Sequence, residues 1–395
     1  MSVLPIKPVL LALHRVGPYH HARFKAASAV LDQPLRVLET RPDSQEYPWN
    51  SESAKGSYTI LRLKGALNPE QDPPRRILRQ QLQSLITANV PEVIVTVGWA
   101  DAAYLELLWL AQGCGIPLVV VSDSRIIDMP RHPFKEWLKS QLLHGYSAAL
   151  VAGSQSRQYL LKLGFNAEAI FQPWDVVDNL LFAQMAAQMP PPPPQERPFL
   201  CVGRFISEKN HALLLRAFRM YQLQGGSRPL LIVGCGLLES EILGGCADLP
   251  DPGAVSVVPF EQLEQLGLRY AQAHALILPS QKDTWGLVVN EAMAAGLPVI
   301  VSSACGCEVD LVEEGVTGWR FEANAPQQLV DCLRRTDQQS PEARELMIKA
   351  ARLRLADFSL DAFANGLRQA CEHALACHAP SLRSRLLARL LQQGR

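Results

Sequence analysis

The sequence predicts an α/β protein with two doubly wound parallel sheets, and three observations point to it. Short runs of aliphatic and β-branched residues alternate with helix-period segments along the chain. The alternation breaks once, at "MPPPPPQERP" (189–198), and then restarts. The length of 395 residues suits two or three domains.

In the first half, strands are expected at 8–14 (PVLLALH), 35–40 (LRVLET), 58–63 (YTILRL), 92–97 (EVIVTV), 116–122 (IPLVVVS) and 147–151 (SAALV). Helix-period segments at 75–88, 101–112 and 154–163 separate them. Apolar strands spaced by helices make βαβ units, and a sheet covered on both faces. The five prolines lack backbone donors and favour extended geometry, so 189–197 reads as a semi-rigid linker, in preference to a surface loop inside one domain. Beyond it, strands are expected at 199–203 (FLCVG), 229–233 (PLLIV), 255–259 (VSVVP), 274–279 (HALILP) and 298–302 (PVIVS). Helices fall at about 208–223, 261–272 and 286–295, and from 340 onward the chain is helical. The expected domains are therefore 1–188 and 198–370, followed by a helical tail at 371–395. Two doubly wound domains offer a cleft at the carboxyl ends of their strands, where ligands bind in open α/β sheets.

Composition narrows the class. Lys plus Arg number 38 and so do Asp plus Glu, which argues against a general nucleic-acid binder. Nine cysteines, an odd number with no CxxC pair, read as reduced and mostly buried thiols of a cytoplasmic protein. The apolar stretch 107–122 is interrupted by Gly and Pro, so it reads as helix end, turn and strand rather than a membrane span. The apolar run near the N-terminus (VLLAL) is too short for a secretory signal.

Two stretches carry chemistry. In 283–293 (DTWGLVVNEAM), Asp283 and Glu291 lie eight residues apart around Gly286 and a helix start. Free amides at a helix start bind phosphate, and ionised carboxylates accept from paired hydroxyls. Taken singly, Asp283 reads as an N-cap and Glu291 as a solvated helix residue. In 203–210 (GRFISEKN), Arg204 and Lys209 follow the first strand of the second domain, and a fork donor beside an ammonium suits a diphosphate. Taken singly, they are surface cations. The turn "VGCG" (233–236) is a lone GxG, and the third glycine position of a dinucleotide fingerprint is held by Glu239.

Together these pieces resemble glycosyltransferase family 4, retaining enzymes of the GT-B fold with two Rossmann-like domains facing across a cleft. The resemblance runs through VGRFISEKN (202–210), LLIVGCG (230–236), LPSQKDTWGLVVNEAMAAGLPVIVS (278–302), GCEVDLVEEGVTGW (306–319) and FSLDAFANGL (358–367). It implies that Arg204 and Lys209 bind the donor diphosphate and that Glu291 holds the ribose. It places Asp283 on the donor sugar, where the family usually has Glu. Backbone around Gly286, Leu287 and Val288 would cradle phosphate, with Gly203, Gly234 and Trp285 lining the donor site. "RVGPYHHARF" (15–24) and "YPWN" (47–50) resemble members that build bacterial surface polysaccharides. In that loop Gly17 would approach the donor, and His20 or His21 would contact phosphate or acceptor while the other ring points elsewhere. After the strand at 116–122, where family members often carry a histidine, Ser122, Asp123 or Arg125 stands in an acceptor-side position.

The implied activity is a metal-independent, hexosyl-type transfer. A nucleotide-diphosphate sugar is its substrate, a glycan or lipid-linked molecule its acceptor, and no cofactor takes part. No D-x-D triplet occurs to hold a metal on the diphosphate. A non-catalytic sugar-nucleotide-binding homologue and a GT-B sugar-nucleotide epimerase are the alternatives. The segments 131–139 (RHPFKEWLK) and 382–391 (LRSRLLARLL) are basic and amphipathic, suited to peripheral contact with an anionic membrane. For the second, a terminal helix packing back on the fold is the competing expectation.

Overall fold

The computed structural model describes residues 7–44 and 57–393, so "YPWN" (47–50) lies outside the described residues. The chain divides into two compact units, Met1–Val176 with Leu360–Arg395, and Val177–Ser359.

The first unit is built on a seven-stranded sheet in the order β3-β2-β1-β4-β5-β6-β7. Its strands are β1 (Val9–Leu13), β2 (Leu35–Glu39), β3 (Thr59–Arg62), β4 (Val93–Val97), β5 (Leu118–Ser122), β6 (Ala148–Val151) and β7 (Ile170–Phe171). All pairs are parallel, with Leu11 level with Val37 on one side and Val95 on the other. Every residue of β1 is buried, as expected of a central strand covered on both faces. The stretch 107–122 resolves into helix, turn and strand: helix Ala102–Cys114 ends at Gly115 in the left-handed region (φ +67°), and β5 follows.

The second unit holds a six-stranded parallel sheet, β10-β9-β8-β11-β12-β13. Its strands are β8 (Phe199–Val202), β9 (Leu230–Val233), β10 (Val255–Val258), β11 (Ala275–Leu278), β12 (Val299–Ser302) and β13 (Trp319–Phe321). Phe199, Ile232, Ile277 and Ile300 pack against Leu214, Phe218, Leu329 and Leu333 of the covering helices. Of the nine cysteines, all unpaired, six are buried, and burial pushes the Cys201 thiol up to about 12. No helix among the described residues is long and apolar enough to cross a membrane.

The domain boundaries need correction. Both ends of the proline run lie inside the second unit, so it is a surface loop of that unit and not a linker between domains. Arg228 holds this loop, donating to the carbonyls of Pro194 and Arg197 at 2.6 and 2.8 Å. Helix Asn179–Ala187, before the run, packs on helices Leu263–Gln272 and Leu287–Ala294 of the same unit. The tail returns to the first unit at Leu360, not at 371, because helix Leu360–Ala376 packs along helix Pro18–Val30.

Candidate functional site

A doubly wound sheet leaves a gap at the carboxyl ends of the two strands where its winding reverses. In the second unit that reversal falls between β8 and β11. The loop after β8 carries Gly203, Arg204 and Lys209; the loop after β11 carries Asp283. Residues 74 apart in sequence thereby meet: Lys209 Nζ donates to Asp283 Oδ2 at 2.6 Å. Their side chains keep only 19% and 12% exposure, so the pair is sheltered but still open to a ligand. Backbone bonds join the same loops. The amides of Gln281 and Lys282 donate to the Glu208 carbonyl at 2.9 and 3.3 Å, and Gln281 Nε2 donates to the Ser207 carbonyl at 2.9 Å. Arg204 is half-buried in this loop. The Glu208 carboxyl is held below its ordinary range by its own amide and the Ser207 hydroxyl, and further by the charges of Lys282 and Arg204.

Glycines set how closely the loops approach. A Cβ at Gly234 would lie 1.9 Å from the Gly203 carbonyl oxygen, and one at Gly236 would lie 2.7 Å from that of Phe205. Phe205 N donates to the Cys235 carbonyl at 2.7 Å. The VGCG turn is therefore glycine because the loop after β8 lies directly against its backbone.

The phosphate-cradle candidate is built by a similar contact. Helix Leu287–Ala294 starts at Gly286, whose φ of +102° suits glycine. The first amides, of Leu287 and Val288, have no carbonyl one turn earlier to bond. The loop before the helix is clamped by the start of the 306–319 segment, to which the sequence reading gave no role. Gly306 N donates to the Asp283 carbonyl at 2.9 Å and Cys307 N to the Trp285 carbonyl at 3.0 Å. A Cβ on Gly306 would lie 1.8 Å from the Thr284 carbonyl oxygen. The signal for this clamp in the sequence is the "GC" at 306–307 that opens the 306–319 piece of the resemblance.

Two expected donor contacts point inward. Trp285 is 3% exposed, donates its indole N–H to Asn290 Oδ1 at 2.9 Å, and packs 5.2 Å from the Phe358 ring. It supports the loop from beneath instead of lining the site. Glu291 has no exposed surface, and its Oε2 accepts from the Tyr270 hydroxyl at 2.6 Å. In this conformation it belongs to the packing under the helix and offers no open face to a ribose.

In the first unit the reversal falls between β1 and β4. Gly17 caps helix Pro18–Val30, and its amide donates to His20 Nδ1 at 3.0 Å, so His20 carries its proton on Nε2. Burial, then the charges of Arg23 and His21, push the His20 pKa down to about 3. Gly17 and His20 thus form a neutral cap through Nδ1, which leaves the Nε2–H of a half-buried ring as the group His20 can offer to phosphate or acceptor. His21 points elsewhere. Its Nδ1 lies 2.5 Å from the Tyr58 hydroxyl, and it lines a cavity of about 640 Å³ with Arg15, Glu39, Arg62 and Lys64. Arg125 is fully buried, and its Nε and amide both bond the Asp128 carboxylate, at 2.9 and 2.6 Å. It builds its own turn and gives no acceptor-side contact here; Asp123 lies half-buried just after β5. A polar cluster that the sequence did not announce sits at this reversal, with His14 Nε2 3.1 Å from Asp101 Oδ2 and Arg41 bonded to both Asp72 and Asp101.

The profile of the family described as Glycosyl transferases group 1 matches residues 187–354. A D-inositol 3-phosphate glycosyltransferase of Frankia alni is 25% identical over 378 residues, covering 85% of this chain and 89% of that one. The sulfoquinovosyl transferase SQD2 of Arabidopsis thaliana is 40% identical over 287 residues, which span 68% of this chain and about half, 52%, of the plant protein. Among solved structures, Anabaena HepE in complex with UDP and glucose superposes with a TM-score of 0.68 at 14% identity, over 93% of this chain and 99% of that one.

Proposed function

Because residues 187–354 belong to the group 1 glycosyl transferases and the protein is a glycosyltransferase of the GT-B fold, we propose that it is a retaining family 4 enzyme. It moves a hexosyl group from a nucleotide-diphosphate sugar to a glycan or lipid-linked acceptor, in the cytoplasm, during polysaccharide assembly. The observation that carries this reading is the Lys209–Asp283 pair at the winding reversal of the second sheet. A cation for the diphosphate and a carboxylate for sugar hydroxyls stand side by side there, as the two halves of such a donor require. The Anabaena protein's complex with UDP and glucose supports a nucleotide sugar as the donor class.

In the proposed reaction the bond from the sugar carbon to the diphosphate oxygen breaks, and the acceptor hydroxyl bonds to that carbon on the same face. The acceptor's proton passes to the departing phosphate. Lys209, Arg204 and the first amides of helix Leu287–Ala294 stabilise the charge growing on the leaving group. No side chain is assigned as a nucleophile and no metal as a partner.

A thermal-shift screen against UDP-, GDP-, ADP- and CMP-sugars, with and without EDTA, tests the reading. One nucleotide class should raise Tm, the rise should survive EDTA, and Arg204→Ala should abolish it. A flat response to every donor would overturn the proposal.

A further inference from the structure

The C-terminal helix Leu382–Gln393 is apolar on two sides: Leu387 and Leu391 pack on the core of the first unit, and a second leucine stripe faces outward. Its inner face includes Ser384 and Ala388, both fully buried, against helices Ala102–Cys114 and Pro133–Leu143. Ser384 Oγ donates to the Gln141 carbonyl at 2.7 Å, and the guanidinium groups of Arg385 and Arg389 lie over the Trp109 ring at 5.4 and 5.0 Å. Small residues, Leu387, Leu391 and arginine stems thus hold the helix down. Leu382, Leu386 and Leu390, four residues apart, form a stripe that is 56–67% exposed. A helix that served only to cover the core would not carry this second leucine stripe in solvent.

The helix it rests on has the same character. Phe134 and Trp137 of Pro133–Leu143 are 60% and 55% exposed and stack on each other at 5.9 Å, with Ile127 and Met129 exposed just before them. The acids among these residues are neutralised internally, Glu136 by Lys139 at 2.8 Å and Asp128 by Arg125. The C-terminal helix carries Arg383, Arg385 and Arg389 and no acid at all.

We propose that these two elements form a docking surface for an anionic lipid bilayer. Leu382, Leu386, Leu390 and the aromatic rings enter the boundary between headgroups and acyl chains, while the exposed Arg383 and Lys135 meet the lipid phosphates. The charge selects this occupant over a second copy of the chain, because a two-fold contact would set the same exposed cations, Arg383 and Lys135, against their own copies. The inference deepens the reading of an enzyme that serves lipid-linked acceptors, and it is testable without any sugar.

The purified chain is sedimented with vesicles of phosphatidylcholine alone and of phosphatidylcholine with phosphatidylglycerol, at low and high salt. It should bind the mixed vesicles, bind less at high salt and ignore the neutral ones. A triple variant, Leu382→Gln with Leu386→Gln and Leu390→Gln, and a double variant, Phe134→Ser with Trp137→Ser, should each weaken binding about tenfold or more. Both should keep the wild-type Tm and the wild-type donor-induced shift, since the altered side chains are exposed. Absence of vesicle binding, unchanged binding by both variants, or a wild-type dimer that the leucine variant dissolves would overturn the proposal. A failed vesicle assay beside a normal donor shift leaves the transferase reading standing, and the reverse result leaves the docking surface standing.

Discussion

At the scale of single residues, the pairing of Lys209 with Asp283 divides the donor between two side chains, and the division is measurable. Lys209→Ala removes a charge-assisted contact to phosphate and leaves Asp283 without its partner. Affinity for the nucleoside diphosphate should fall about ten- to a hundredfold by calorimetry. Asp283→Glu adds one methylene beyond the phosphate contact. The nucleoside diphosphate should then bind as before, while the ratio of kcat/KM between rival donor sugars changes. A loss of diphosphate affinity in Asp283→Glu would show that the carboxylate orders the phosphate site instead of reading the sugar. Which residues carry the site's charge was legible in the sequence, because charged side chains after apolar strands lie at strand ends. Which way Trp285, His20, Arg125 and Glu291 point was not, since each is turned by a partner remote in sequence or by a local cap: Phe358 for Trp285, Tyr270 for Glu291, the Gly17 amide for His20 and Asp128 for Arg125.

Among the elements, glycines separate loop walls from ordinary helix. Gly306 has the Thr284 carbonyl where a Cβ would go, so Gly306→Ala forces two backbones apart. It should lower stability by about 2–4 kcal/mol in urea titration and loosen the loop that bears Asp283. Gly244, inside helix Glu239–Ala247, has nothing within 4 Å of its missing Cβ. Gly244→Ala should therefore raise stability by about 0.5–1 kcal/mol. Opposite signs are the expectation, and a destabilised Gly244→Ala would contradict the open space around it. The other eleven strands were readable because their apolar runs have turn signals on both sides. The edge strands β7 and β13 were not: they span two and three residues, too few for any period to register. Helix Glu239–Ala247, with two adjacent glycines, carries too little helix propensity to stand out.

For the whole molecule, acid should be the weakness. His211 and His274 are buried, and burial lowers both pKa values to about 4, with Lys209 adding to the effect at His211 and Arg228 at His274. Unfolding restores an ordinary value near 6.5, so below that pH the unfolded chain takes up protons that the folded chain refuses. Stability is complete above pH 6.5 and declines as pH falls toward 4, by about 1–2 kcal/mol for each histidine at pH 5. Melting curves at pH 7 and pH 5 check this, and His211→Asn should narrow the gap between them. A gap of the same size in that variant would assign the acid sensitivity to other groups. The sequence by itself determined the two parallel sheets, the repeated strand–helix alternation and the charged ends of β8 and β11, because these follow from local periodicity and from residue type. Only the tertiary structure decided that the proline run is a surface loop, that the tail from Leu360 rejoins the first unit, and that the last helix turns Leu382, Leu386 and Leu390 outward while Leu387 and Leu391 meet the core. Periodicity says that a helix has an apolar face, but packing decides what that face meets. Here Ser384 and Ala388 fit closely against their neighbouring helices and Arg385 and Arg389 stack on Trp109, and that fit fixes the rotation of the helix.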